Sequence, residues 1–139
     1  MPTIKSFEEL IIWQESRKFA NNVYKLTKKF PQEELYSLTS QMRRAAVSIM
    51  SNIAEGFDRR TTKEFISFLM IARASISEVQ NDLYLSLDLN YINNEDFKTY
   101  YNHAQKIGKL INGLITYLKS QAKSYTKTTK INEQTQQYL

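Results

Sequence analysis

The chain has no cysteine, which excludes a disulfide framework and any thiolate metal site. Three glycines and two prolines are its only strong breakers, which argues for long helices rather than many short strands. The single histidine, His103, has no second histidine or cysteine to share a metal with. The paired Glu-x-x-His motifs of a carboxylate-bridged bundle centre do not occur. His103 therefore reads as a surface or boundary residue, and no metal or other cofactor is expected. No two glycines fall in a loop suited to cradling phosphate, and nothing in the pattern sets a base beside a nucleophile. No uninterrupted apolar stretch approaches bilayer-spanning length. The opening residues lack the basic region and apolar run of a signal peptide. These absences predict a soluble, cytoplasmic, non-enzymatic protein with no membrane association.

What is present reads as helix. A length of 139 residues suits one domain with its own core. The organising stretch is Ser40–Gly56. In it Met42, Ala45, Ala46, Ile49 and Ile53 recur at helical spacing as an apolar stripe. Gln41, Ser48, Asn52 and Glu55 form a polar stripe beside it. Ala45, Ala46, Ser48, Ser51 and Ala54 are small, which permits close approach by a neighbouring helix. Gly56 is expected to end this second helix, which runs from about Leu38 to Glu55.

The other helices announce themselves by caps. Ser6 with Glu9 is a capping box that should open helix one, whose apolar positions include Phe7, Leu10, Ile12, Trp13, Phe19, Val23 and Leu26. Pro31 breaks the run, and Leu35, Tyr36 and Leu38 are expected to cover one end of the core. Thr61 with Glu64 is a second box, opening helix three, with Phe65, Phe68, Leu69, Ala72, Ile76, Val79, Leu83 and Leu87 on its core face. Ser75, Glu78 and Asp82 make a polar stripe on that helix. Ile66, Met70 and Ile71 form a second apolar stripe of the kind that marks subunit contacts. Asn93 caps helix four, which carries Phe97, Tyr100, Tyr101, Ala104, Ile107, Ile111, Leu114, Ile115 and Leu118. Gly108 and Gly113 within it suggest a close crossing or a tolerated defect.

Four helices with short connections predict an all-α, antiparallel up-down-up-down four-helix bundle over residues 1–120. Residues 121–139 are rich in Thr, Gln, Lys and Ser, and read as a polar, flexible tail.

The net charge is +5, with a pI near 9.3, which favours acidic partners, nucleic acid first. Arg59, Arg60 and Lys63 cluster at the turn between helices two and three, Arg43 and Arg44 lie near the far end of helix two, and Arg73 lies on helix three. Arginine suits phosphate through its planar fork of donors. These six are the candidate nucleic-acid-binding residues. The alternative is that they solvate helix ends and pair with Glu55 or Asp58. Glu55 and Glu78 can approach across helices two and three, where two carboxylates could act as acid and base. The structural reading is preferred, because buried polar groups find hydrogen-bond partners. Gln41, Ser48, Asn52, Glu55, Ser75 and Glu78 are accordingly expected to form a structural polar network.

Leu10–Ser16, Phe30-Pro31 with Glu34, Ser40–Ile49, Asn52-Ile53-Ala54-Glu55-Gly56, and Phe65–Leu69 through Ala72-Arg73-Ala74-Ser75 with Glu78 together resemble one family. It is the small bacterial four-helix bundle family encoded in intervening sequences of 23S ribosomal RNA genes. The resemblance covers roughly residues 7 to 120 and departs at Ala74, where the family often has glycine. It implies a homopentamer with a central channel and no enzymatic activity. Relatives include the accessory protein of diversity-generating retroelements, a basic assembly that binds nucleic acid and a reverse transcriptase. The expected function is thus that of an oligomeric bundle binding RNA or DNA, RNA favoured. The alternative is a protein-interaction scaffold or accessory subunit of a nucleic-acid enzyme such as a reverse transcriptase.

Overall fold

A computed structural model describes residues 3–121. The expected tail lies outside the described residues except for Gln121. The described chain forms four long helices, α1 (Ile11–Thr27), α2 (Leu38–Phe57), α3 (Thr62–Asp88) and α4 (Asn94–Ser120), with short 3-10 turns at Phe7–Glu9 and Gln32–Glu34. Each helix packs against its sequence neighbours, and α1 closes the ring against α4. The result is the expected four-helix bundle. The α2–α3 interface is the most extensive and the α1–α4 interface the least.

Caps explain both ends of α3 and the start of α4. The Thr61 hydroxyl accepts from the Glu64 N–H at 3.2 Å while the Glu64 carboxylate accepts from the Thr61 N–H at 3.3 Å, so α3 opens on a reciprocal box. The Asn93 side chain accepts from the Asp96 N–H at 2.7 Å and opens α4. Between them α3 ends on Asn90 at φ 62°. There the Asn90 N–H donates to the Leu87 carbonyl and the Tyr91 N–H to the Ser86 carbonyl. That bond pair is the Schellman ending, and asparagine tolerates its left-handed residue.

Three expectations about element ends need correction. Ser6 and Glu9 cap the 3-10 turn rather than α1. The Glu9 carboxylate accepts from the N–H groups of Lys5 and Ser6, and Leu10 is extended (φ −74°, ψ 127°) before the helix begins at Ile11. The extended residue turns the Leu10 side chain fully into the core, where burial outweighs continuing the helix. Gly56 does not end α2. The helix runs on to Phe57, with Gly56 buried beside Phe65 and Phe68 of α3, so its lack of a side chain serves close approach. Tyr36 and Leu35 do not cover the core end: Tyr36 is 91% exposed and Leu35 is also exposed. Leu38 is buried there with Phe30 and Ile92. The Tyr91 ring lies 5.3 Å from Phe30, and its hydroxyl donates to Glu34 at 2.7 Å.

The apolar stripes point inward. Met42, Ala45, Ala46, Ile49 and Ile53 are all buried, as are Phe65, Leu69, Ala72, Ile76, Val79 and Leu83 on α3. Phe68 and Leu87 are half-buried. On α4, Ile107, Ile111 and Leu114 are fully buried, whereas Phe97 and Tyr101 stack together at the edge beside Tyr84. Ile66 departs from its expected exposed stripe, because it is buried while Met70 and Ile71 stay exposed. A β-carbon at Gly108 would meet Ile76 at 3.9 Å, an ordinary contact, so no close crossing requires that glycine. Among the described residues no helix is long and apolar enough to cross a membrane.

Candidate nucleic-acid interface

The six candidate cations stand in different surroundings. Arg43 is half-buried. Its Nε donates to the Thr27 hydroxyl at 2.8 Å, and its guanidinium lies 4.6 Å from the Tyr24 ring centroid. Those contacts tie α2 to the end of α1, which makes Arg43 a packing residue. Arg44 is exposed and donates to Ser40 at 3.4 Å. Arg73 reaches Asn112 of α4 at 2.9 Å. Arg59 pairs with Glu55 at 2.7 Å and covers the Phe68 ring at 4.8 Å. Arg60 and Lys63 are exposed on either side of the Thr61 cap and engage no other described side chain.

The chain thus brings together Arg59, Arg60 and Lys63 at one end of the bundle. Two of the three acids beside them are already engaged: Glu55 by Arg59, and Glu64 by the α3 cap. Arg43, Arg44 and Arg73 are not part of that cluster, since antiparallel packing sends them toward the middle and far end of the bundle.

Half of the expected polar network exists. The Ser75 hydroxyl donates to the Ser48 hydroxyl at 2.8 Å, and the Asn52 amide donates to both the Ser48 hydroxyl and its carbonyl. These three residues join α2 to α3 at the packed interface. Gln41, Glu55 and Glu78 do not join them. All three are exposed, because their helical positions rotate past the interface. Gln41 and Glu78 instead line an open hollow of about 730 Å³ between α2 and α3, together with Tyr36, Ser40, Arg44 and Asp82. Glu55, paired with Arg59, is not among the residues around this hollow, so it does not stand with Glu78 as an acid–base couple. Asp82 is buried. Its burial raises the carboxyl's pKa; the Asn81 amide opposes this, and the neighbouring Glu78 charge adds to it.

The residue pattern did not reveal an ion cluster on the opposite side. His103 Nε2 lies 3.0 Å from Glu15 Oε1, with Lys106 at 3.6 Å and Lys18 at 3.4 Å from the same carboxylate. Burial pushes the Glu15 carboxyl up, but the His103 hydrogen bond and the Lys106 and Lys18 charges outweigh it and hold its pKa below the ordinary value. The His103 ring packs edge-on against Phe19 at 5.3 Å, the boundary position expected for it. Only the Glu15–Lys18 spacing was visible locally; His103 and Lys106 come from α4. Among the described residues no group of three or more His, Cys, Asp or Glu side chains could hold a metal ion.

Comparison with known proteins places these features in a family. No curated protein matches the chain. A crystal structure of a protein of unknown function from the S23 ribosomal protein family of Bacteroides thetaiotaomicron is similar. It is 27% identical, aligns over 76% of this chain and 96% of its own, and superposes with a TM-score of 0.72. The 23S rRNA-intervening sequence protein family matches residues 8–113. The match contains α1, α2, α3, the Ser48–Asn52–Ser75 network and the Arg59–Lys63 cluster, and the chain belongs to the 23S rRNA-intervening sequence protein family.

Proposed function

We propose that the chain is a non-enzymatic, self-associating bundle that binds nucleic acid, RNA before DNA, through phosphate contacts. The observation that carries this reading is the group Arg59, Arg60 and Lys63 at one end of the bundle, in a protein of net charge +5. Its two outward cations have no competing partner among the described residues. Such contacts position a polyanion without reading its bases. Exposed Met70 and Ile71 on α3 support self-association, with the homopentamer of the resembled family as the expected state. The same apolar residues favour the second reading, a scaffold or accessory subunit docked to a nucleic-acid enzyme.

The test is a titration of a labelled 23S ribosomal RNA fragment, with duplex DNA of equal length alongside, at several salt concentrations. Affinity for the RNA should fall steeply with salt. The double variant Arg60→Glu with Lys63→Glu should weaken it while leaving helicity intact. Absence of binding at low salt would overturn the reading, and unchanged affinity of the variant would overturn the site. Sedimentation at micromolar concentration tests self-association, and a monomer would refute it.

A further inference from the structure

On the side of the bundle away from the α2–α3 interface, α1 and α4 leave an open groove of about 550 Å³. Arg17, Lys18, Asn21, Asn22 and Lys25 of α1 line it, with His103 of α4. No carboxylate is among the lining residues. The neighbouring Glu15 carboxylate is claimed by His103, Lys106 and Lys18 and stays ionised to lower pH than usual. Arg17 and Lys25 keep their charges directed to solvent: Lys25 engages no other described side chain, and the Arg17 guanidinium only faces the Trp13 ring at 5.7 Å. The Asn21 amide donates to the Arg17 carbonyl at 2.9 Å, which fixes a second polar side chain in line with them. The Tyr100 hydroxyl donates to the Asn22 carbonyl at 3.0 Å and pins α4 to α1 beside the groove.

We infer that this groove holds the phosphate backbone of a single RNA strand. The inference rests on the proposed nucleic-acid reading and names a contact surface that the arginine-centred reading of the sequence did not include. Arg17, Asn21 and Lys25 are spaced by four residues along α1, so donors recur about every 6 Å over about 12 Å. That is a row able to follow successive phosphates of one strand, whereas an isolated phosphate would engage only one of them. Duplex bases are read by an element inserted into a groove of the nucleic acid; here the donors line a recess. A positive groove tracking one backbone is the general design for single strands. Three rings stand near it: Trp13, its indole under the Arg17 guanidinium, and His103 are packed against Phe7 and Phe19 respectively, and the Tyr100 hydroxyl is held by the Asn22 carbonyl. The site is therefore expected to hold the backbone with little preference among bases.

The experiment uses the full chain and a labelled twelve-nucleotide oligouridine, read by fluorescence anisotropy across a salt series. The double variant Arg17→Ala with Lys25→Ala should bind about tenfold more weakly at low salt. Its plot of log affinity against log salt should be shallower by about 1.4, the loss of two single-strand phosphate contacts. Both residues are exposed on a helix and alanine favours helix, so circular dichroism should be unchanged; Arg17→Gln with Lys25→Gln serves as a second variant. The control Lys28→Ala with Lys29→Ala removes equal charge outside the groove and should cost much less. A groove variant that binds like the parent, or a control that loses as much, would overturn the inference while leaving the nucleic-acid reading in place. Failure of the parent protein to bind any RNA at low salt would overturn both.

Discussion

A β-carbon on Gly56 would stand 2.6 Å from the β-carbon of Phe68 and 3.1 Å from the Phe65 ring. The Phe68 β-carbon is set by the α3 backbone, so no rotamer change relieves the clash and α2 must move from α3. In an exposed helix interior, Gly→Ala would gain about 1 kcal/mol. Overpacking of a tight core contact costs about 1–3 kcal/mol, and here the second effect should win. Gly56→Ala should lower stability by up to about 2 kcal/mol, read as an earlier urea midpoint with unchanged slope. A stabilised variant would show that the two helices separate freely.

Ser75 and Glu78 should respond differently to small changes. Ser75→Ala removes the donor to Ser48 at the α2–α3 interface and should cost about 1 kcal/mol, the usual net worth of one hydrogen bond. Glu78 is exposed, so Glu78→Gln should stay within about 0.5 kcal/mol. Thermal melts of the two variants check this. A larger loss at Glu78 than at Ser75 would restore Glu78 to the structural network.

Asp82 sets a pH-dependent term. Its folded-state pKa is raised, with burial as the largest cause, so the folded state holds the proton more tightly than the unfolded chain. Its favourable contribution is complete below the ordinary value of 3.8 and is lost as pH rises through the raised folded value. At neutral pH the buried carboxylate opposes folding. Asp82→Asn keeps an acceptor for the Asn81 amide and removes the charge. Its Tm should exceed the parent's by a few degrees at about pH 7, with the difference closing by about pH 3. A difference that persists in acid would assign the gain to packing.

The helices, the opening caps of α3 and α4 and the buried stripes were legible because they are local. Thr61 with Glu64, Asn93 with Asp96, and the Met42–Ile53 stripe each lie within a few turns of one helix, where hydrogen bonding and periodicity act at fixed spacing. The arginine cluster was legible for the same reason, since Arg59, Arg60 and Lys63 are neighbours in the chain. Ser48 and Ser75 were identified as polar interface residues from the stripes on two helices. That Gln41 and Glu78 rotate out beside Asp82 depends on the angle at which α2 meets α3, and no single helix contains that angle.

By itself, then, the sequence determined four amphipathic helices, their order, a cysteine-free core and the excess of positive charge. These follow from composition and from spacing along one chain. Only the tertiary structure decided that Gly56 is a contact point rather than a helix end and that Leu10 interrupts the first helix to reach the core. It likewise decided that Arg43 is held by Thr27 and Tyr24, and that Glu15 of α1 meets His103 of α4 to leave a basic groove. Each outcome depends on an atom supplied by a distant segment, and packing free energy between helices overrides the local preference of the residue that receives it.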